Sequence, residues 1–529
     1  MIRQLASISS RWWTRAAVSL LAISAFAATW LATRHGALLS PDSVTYLSLA
    51  RNLAAGRGYI DFTGQPNTTF APGFPAVLAV GHLAGFSVPT AARIVNAASA
   101  AGIVVLAWVL VRRHTGSLAI ALGATAFIAI SPTVLNVADH AWSEPLFCFV
   151  LLGFILLVED AVSCSEPHRQ LYLAASAGML CGVAFVVRYA ALPLIVVGVV
   201  ALLSRRTSPG RWASATVFLA AAIPLPLAWL FRNARSGAPY LLGPRMAATD
   251  ELDRLVTRFL KSVNAVITDG WGRPSAQILL AVTVALCALG LTLVARHRGT
   301  LRETPEGPTM VPVIAFIALY SAFLVASGVS AGSSIDARTV MPIFVPVIVV
   351  VAWSLSRVVR AGSELTSLRL PHAFGVALAA ALLAILAIRA VEFAQMATDA
   401  GRASRGYATA SPASSPLARA TLVNATPNSI VTTNNPWTLY SATKHQPIVP
   451  MPGPLYPSAS LVPSTSDELA DASCRHPVYF ARYARSRRMS SDLGGGLQLT
   501  VVARVADGVL YAVHAPSHEC ASDRPATSA

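Results

Sequence analysis

The chain has 529 residues, of which 54% are hydrophobic and 12% charged. An ordinary soluble domain carries about 25% charged residues, so this composition cannot furnish a normal water-facing surface and most of the chain must have lipid as its solvent. A soluble enzyme, a disordered scaffold and a disulfide-stapled mini-protein are excluded, and the formal charge of +16 has to be explained by where the basic residues lie.

A helix crossing the hydrocarbon core needs about 20 apolar residues, because no backbone polar group can stay unpaired in lipid. Eleven runs fit: 16–33, 90–111, 117–135, 144–161, 171–187, 189–203, 212–231, 276–295, 309–330, 339–356 and 372–394. The stretch from Gly73 to Phe86 is interrupted by Pro75, Gly81, His82 and Gly85, and is read as a re-entrant or juxtamembrane helix. If the N-terminus is cytoplasmic, the inside segments hold Arg3, Arg11, Arg15, Arg112, Arg113, Arg169, Arg205, Arg206, Arg211, Arg296, Arg298, Arg302, Arg357, Arg360 and Arg369, while the short outside connections hold Arg188 and Arg338. Arginine-rich loops stay inside, so the basic excess reports topology, and a nucleic-acid partner loses its support. The first run also reads as a signal peptide, since Ala25, Phe26 and Ala27 resemble a small-residue cleavage site.

The expected fold is an all-α polytopic membrane protein of about 11 transmembrane helices, N-terminus in and C-terminus out, plus a small C-terminal α/β extracytoplasmic domain. The transmembrane part takes residues 1–394 with outer loops 34–89 and 232–275, followed by a linker over 395–420 and the α/β domain over 421–529. In that last region SIVTTN (429–434) and PVYFARY (477–483) are strand-like, and Asp507-Gly508 between LQLTVVARV and VLYAVHA is a hairpin signal. Cys474 and Cys520 are the two cysteines expected outside; they bracket those strands and would pair in an oxidising compartment. Cys148, Cys181 and Cys287 fall in apolar runs and Cys164 in a cytoplasmic loop, where packing or a reduced thiol is the default. Glu251 to Ile267 is amphipathic, with Leu252, Leu255, Val256, Phe259, Leu260, Val263 and Ile267 on one stripe, as a helix lying on the outer leaflet or packing under the external domain.

Nucleotide-binding loops, HExxH and zinc-spaced Cys or His pairs are absent from the sequence. Polar residues where runs meet the outer face carry what chemistry there is. Asp42 either caps the helix over Ser43–Ala55, a task open also to Ser40 or Ser43, or is a general base at the lip of a cavity. Asp139, His140 and Glu144 lie in NVADHAWSEPLF. They are either a solvated turn with a helix-dipole glutamate, or a second acidic contributor that binds a divalent cation or orients an acceptor hydroxyl. Arg188, Arg232, Asn233, Arg235, Arg245 and Arg338 lie on the side the charge rule disfavours. Each is compensated by a local acid, such as Asp336 beside Arg338, or by an anionic ligand matching the planar guanidinium fork.

PDSVTYLSLARNLAAGRGY, APGFPAVLAVGHLAGFSVPTAARIVNAASA, SEPLF, GVAFVVRY, WLFRN and DARTVMPIF, in this order, resemble the C-type membrane glycosyltransferases, in particular bacterial relatives of the protein O-mannosyltransferases and lipid A aminoarabinose transferases. The resemblance runs along most of residues 1–394. It implies a polyprenyl-phosphate sugar donor, a hexosyl or pentosyl group moved with inversion, and an envelope glycan, lipid or protein acceptor at the outer face of the cytoplasmic membrane. Asp42 then matches the family's first-loop acid and becomes the base, Asp139 or Glu144 falls at the second acidic site, and Arg188, Arg232 and Arg338 neutralise the donor phosphate. Tyr46, Arg57, Tyr59, His140, Tyr189, Asn233 and Arg245 lie in or beside the same motifs as substrate-binding candidates. Ser43 stands where many protein mannosyltransferases continue an Asp-Glu pair, which leaves acceptor class and metal requirement open. A secondary transporter or flippase for a lipid or anionic solute is the alternative, and would show paired repeats; a non-enzymatic partner in envelope assembly would not need Asp42.

Overall fold

The structure is a computed structural model and describes residues 2–204, 210–237, 241–243, 251–268, 309–331, 334–364, 372–402, 415–444, 447–450, 466–484 and 496–516, with positions 292, 493 and 520. Among the described residues seven helical stretches are long and apolar enough to cross a membrane, against the eleven expected. They are Trp12–Ala32 in α1 (Ile2–Ala32), α4 (Val88–Thr115), α7 (Glu144–Ser163), α8 (Pro167–Val187), the pair α10 (Arg211–Ala222) and α11 (Pro224–Ala234), Val311–Ser330 in α13 (Val311–Ala331), and Ala337–Val359, which spans α14 (Ala337–Val340) and the start of α15 (Phe344–Glu364). The run at 117–135 becomes α5 (Leu118–Ala129) and α6 (Pro132–Ala138), bent by 45°. Pro132 lacks an amide hydrogen and cannot continue the preceding helix, while Ser131 caps the new one by accepting from Val134 N at 3.3 Å. Counting that pair as one span gives eight.

The run at 189–203 is a 3₁₀ turn (Tyr189–Ala191) and a short α9 (Pro193–Ser204), below spanning length. The run at 276–295 lies outside the described residues, and that at 372–394 lies within α16 (His372–Arg402). Gly73–Leu83, read as re-entrant or juxtamembrane, forms the short apolar helix α3, below spanning length.

The membrane core is held by close approach, since lipid tails offer no hydrophobic drive between helices. Phe218 of α10 is fully buried between Gly178 of α8 and Gly198 of α9; a Cβ at either glycine would overlap the Phe218 backbone or ring. The amphipathic segment is α12 (Leu252–Thr268), and it packs against α13, with Leu255 set on Gly328. Leu252, Val256 and Leu260 stay exposed and, with Phe259, Val325 and Val329, line an open apolar groove of about 700 Å³.

Beyond the membrane part, five strands form one mixed sheet in the order β2-β1-β3-β5-β4, from β1 (Ile430–Thr433), β2 (Ile448–Pro450), β3 (Val478–Tyr483), β4 (Gln498–Val505) and β5 (Gly508–His514). β1 runs parallel to β2 and β3, and β5 runs antiparallel to β3 and β4. Ala506 and Asp507 make the two-residue turn between β4 and β5, and Gly508 is required there because a Cβ would strike the Arg482 carbonyl. Cys474 and Cys520 form a disulfide, while Cys148 and Cys181 are buried thiols; Cys287 lies outside the described residues.

The segment expected as a linker, 395–420, begins inside α16 and ends inside α17 (Pro416–Asn424). Leu417 and Ala418 of α17 are fully buried under the sheet, and Asp507 accepts from Leu417 N at 2.8 Å. The domain meets the membrane part through α18 (Pro436–Thr443), whose Leu439 and Tyr440 join Val44 and Phe62 in one apolar cluster. Phe62 stacks on Tyr440 with centroids 5.3 Å apart, and its carbonyl accepts from Ile448 N at 3.1 Å.

Candidate active site

α2 (Pro41–Ala54) carries Asp42, and its N-cap is Ser40, whose hydroxyl accepts from Ser43 N at 3.2 Å. The capping duty that could have claimed Asp42 is thus taken, and its carboxylate turns to Arg338, accepting from Nη1 at 2.6 Å. Two further contacts bring this helix to the start of α7. Leu38 pairs with the chain at 139–141, donating to the Asp139 carbonyl at 2.8 Å and accepting from Ala141 N at 3.1 Å. The Trp142 indole donates to Ser40 Oγ at 2.7 Å.

Glu144, the first residue of α7, is fully buried and held by two guanidiniums: Arg338 Nε donates to Oε1 and Arg188 Nη1 lies 2.8 Å from the same atom. Asp42, Arg338, Glu144 and Arg188 therefore alternate in sign along one chain of contacts. Glu144 has no water access, whereas the Asp42 side chain is 37% exposed, so of the two carboxylates Asp42 is the one a substrate can reach. Arg338 is released for this by its neighbours: Asp336, its nearest acid in sequence, closes a capping box with Thr339. Arg188 sits at the end of α8 in extended conformation and also donates to Ser143 Oγ at 3.2 Å. Ser143 bonds Tyr46 of α2 at 3.0 Å, and burial pushes the Tyr46 phenol up to about 12, against the opposing pull of Arg188, so it remains protonated.

Two buried atoms in this cluster, Glu144 Oε2 and Arg188 Nε, lack a hydrogen-bond partner among the described residues. Leaving such atoms unpaired costs about 1–3 kcal/mol each.

Asp139 and His140 are placed differently. Asp139 is buried at the end of α6, and its carboxylate lies 2.6 Å from His140 Nδ1 rather than in the ion-pair chain. His140 stacks on Trp142 with centroids 3.9 Å apart, and the Arg338 guanidinium lies 4.1 Å from the centre of the Trp142 ring. Trp142 was not singled out in the sequence, although an interfacial tryptophan is a known membrane signal. Among the described residues no three His, Cys, Asp or Glu side chains converge as metal ligands, and Arg338 bridges the Asp42 and Glu144 carboxylates.

The remaining arginine candidates separate from this cluster. Arg232 donates to the carbonyls of Tyr59 (3.1 Å) and Asn67 (3.0 Å) and to Asn233 Oδ1 (3.0 Å), with its plane over Tyr59 and Trp229. Tyr59 donates to the Phe70 and Ala71 carbonyls, Tyr189 donates to Thr68 O at 3.0 Å, and Asn233 donates to Leu241 O at 2.7 Å. Together these residues fasten the segment 59–71 onto the ends of α8 and α11. Arg57 lies exposed on the turn after α2, and Arg245 lies outside the described residues.

No family profile matches the sequence, and no curated protein matches it significantly. Solved structures do share its architecture. ArnT from Cupriavidus metallidurans in the apo state matches with a TM-score of 0.65 at 16% identity, over 95% of this chain and 98% of that one. The same protein bound to undecaprenyl phosphate gives 0.62 at 16% identity, over 93% and 97%. The arabinofuranosyltransferase AftD from Mycobacteria gives 0.57 at 18% identity, over 96% of this chain and 42% of that one. These neighbours are members of the C-type glycosyltransferase superfamily, and the chain has their fold.

Proposed function

We propose that this chain is a membrane glycosyltransferase that moves a sugar from a polyprenyl-phosphate donor to an acceptor hydroxyl on the outer face of the cytoplasmic membrane. The observation that carries the reading is the alternating chain Asp42–Arg338–Glu144–Arg188, with one reachable carboxylate at its open end. A donor phosphate competes with Asp42 for Arg338. Once displaced, the Asp42 carboxylate accepts the proton of the acceptor hydroxyl while its oxygen attacks the anomeric carbon. The bond from that carbon to the phosphate oxygen breaks, and its electron pair leaves with the polyprenyl phosphate. Arg338 and Arg188 stabilise the charge that grows there, and attack opposite the leaving group inverts the anomeric centre. Glu144 keeps both guanidiniums in place without reacting.

Further support comes from the apolar groove between α12 and α13, which suits an isoprenoid tail, and from ArnT, which has been captured with undecaprenyl phosphate. Residues 1–394 are proposed as the transferase unit and the sheet region as an extracytoplasmic domain, with Tyr46 and Ser143 lining the reacting centre. Purified protein given radiolabelled polyprenyl-phosphate sugars and envelope acceptors tests the proposal. Asp42→Asn should lower turnover by about 10²–10⁴-fold, the usual worth of a positioned base, with thermal stability unchanged. Near-normal turnover in that variant removes Asp42 from the chemistry.

A further inference from the structure

On the opposite face of α2 lies a second group of cations that the transferase reading does not use. Nine positions along an α-helix make two and a half turns, so Arg51 leaves α2 on the side away from Asp42 and reaches the external domain. Its Nη1 donates to Tyr440 Oη at 3.4 Å, and its guanidinium lies 5.8 Å from the Tyr440 ring centre. Lys444 Nζ comes to 5.9 Å from the same ring centre and donates to the Ser441 carbonyl. Neither cation has a carboxylate partner among the described residues.

Two further features set Lys444 apart. It ends α18 in the left-handed region at φ 58°, the one non-glycine residue with positive φ among the described residues. Glycine or asparagine is the usual occupant of such a position, so a lysine there carries a backbone cost that a simple cap does not require. Partial burial, and then the Arg51 charge beside it, push the Lys444 amine down to about 8. A lysine placed only to complement the helix C-terminus would gain from its charge; this one is crowded by a second positive charge that no carboxylate among the described residues neutralises.

We propose that Arg51, Tyr440 and Lys444 form an anion-binding site for a phosphate group at the junction of α2 and the external domain, separate from the Asp42 centre. The Arg51 fork supplies paired donors, Lys444 a point charge and Tyr440 a hydroxyl, the donor set that phosphate recognition uses. Because one half comes from residue 51 and the other from residues 440–444, a bound phosphate ties the external domain to α2, the helix that carries Asp42. The phosphate can come from solution or from a lipid headgroup.

The chain has lysine only at 261 and 444, which makes amine labelling a direct readout. Full-length protein in detergent is acylated near neutral pH with and without inorganic phosphate, and again in vesicles of phosphatidylcholine alone or with phosphatidylglycerol. The exposed Lys261 in α12 serves as the internal reference. An anion within 4–6 Å favours the charged amine, and each pKa unit lowers the reactive neutral fraction about tenfold, so Lys444 labelling should slow roughly five- to tenfold relative to Lys261. Protection by free phosphate assigns a soluble ligand, and protection only in phosphatidylglycerol vesicles assigns a headgroup. Absence of protection in both arms, or equal slowing of Lys261, overturns the site. Arg51→Gln should remove the protection and Arg51→Lys should keep part of it; full protection in Arg51→Gln also overturns the proposal. Lys444→Gly, which suits the left-handed backbone, should keep or raise the unfolding midpoint while abolishing any phosphate-dependent rise in that midpoint; a rise that persists counts against Lys444. No glycosyl transfer is measured, so failure here leaves the transferase reading standing.

Discussion

Two arginine-centred clusters lie at the ends of apolar helices, and they use their charges in opposite ways. Around Arg188 and Arg338 the guanidiniums meet carboxylates, the net charge is balanced, and one acid stays open to solvent. Around Arg232 the donors are spent on main-chain carbonyls at 59 and 67, and aromatic rings cover the plane. Both arginine sets sit at the ends of apolar helices, where a charge beside lipid needs compensation. A misplaced charge therefore marks a place where a membrane protein has arranged compensation; only the type of partner distinguishes a reacting site from a fastening.

That distinction can be broken by substitution. Glu144→Gln should have the largest effect, because it removes the buried anion shared by Arg188 and Arg338 and leaves both without it. Deleting one partner of a buried pair costs about 3–5 kcal/mol, so the unfolding midpoint in detergent should fall steeply and transfer should be lost. A variant as stable as the parent would show that water already solvates this cluster. Arg338→Ala comes next. It leaves the fold of α14 intact through its Asp336–Thr339 capping box, and should lower kcat/KM by about 10²–10³-fold, the scale of one lost charge-stabilising donor. Unchanged donor affinity and turnover would move the phosphate elsewhere. Arg232→Ala should do the reverse, lowering stability by about 1–3 kcal/mol through stranded carbonyls while affecting kcat/KM less than Arg338→Ala at the same temperature. If its kinetic loss exceeds that of Arg338→Ala, the division between the clusters is wrong.

Much of this architecture is legible in the sequence because it rests on local periodicity. The spans at 90–111, 144–161 and 171–187 need only an apolar run, and the β4–β5 hairpin needs only alternation around Asp507-Gly508. The break at Ile130–Ser131 was hidden inside an apolar stretch, since Pro132 reads equally as a kink or a start. The site is legible as a set of candidates and illegible as an arrangement. Asp42 and Arg338 meet across a separation of 296 residues, and nothing local says that Ser40 caps α2 or that Asp336 caps α14 and so frees both charges to meet. Arg232 and Arg338 look alike in sequence for the same reason, because their partners belong to other segments.

Trp142 offers the finest test of the comparison. It is pinned by Ser40 through its indole nitrogen, stacked on His140, and covered by Arg338 at 4.1 Å; His140 is in turn bonded to the buried Asp139. This stack fixes the plane of the guanidinium that Asp42 and the donor phosphate share, so Trp142 is a positioning residue with no part in bond making. Trp142→Phe keeps an aromatic face but loses the Ser40 hydrogen bond and part of the cation–π attraction, together about 1 kcal/mol. The expected result is a kcat/KM lowered by about three- to tenfold, with the larger share in donor KM because Arg338 is looser before phosphate arrives. Trp142→Leu removes the ring and should deepen the loss at unchanged pH profile, since the proton acceptor is still Asp42. An altered pH profile would instead mean that His140, reached through the same stack, takes part in proton transfer.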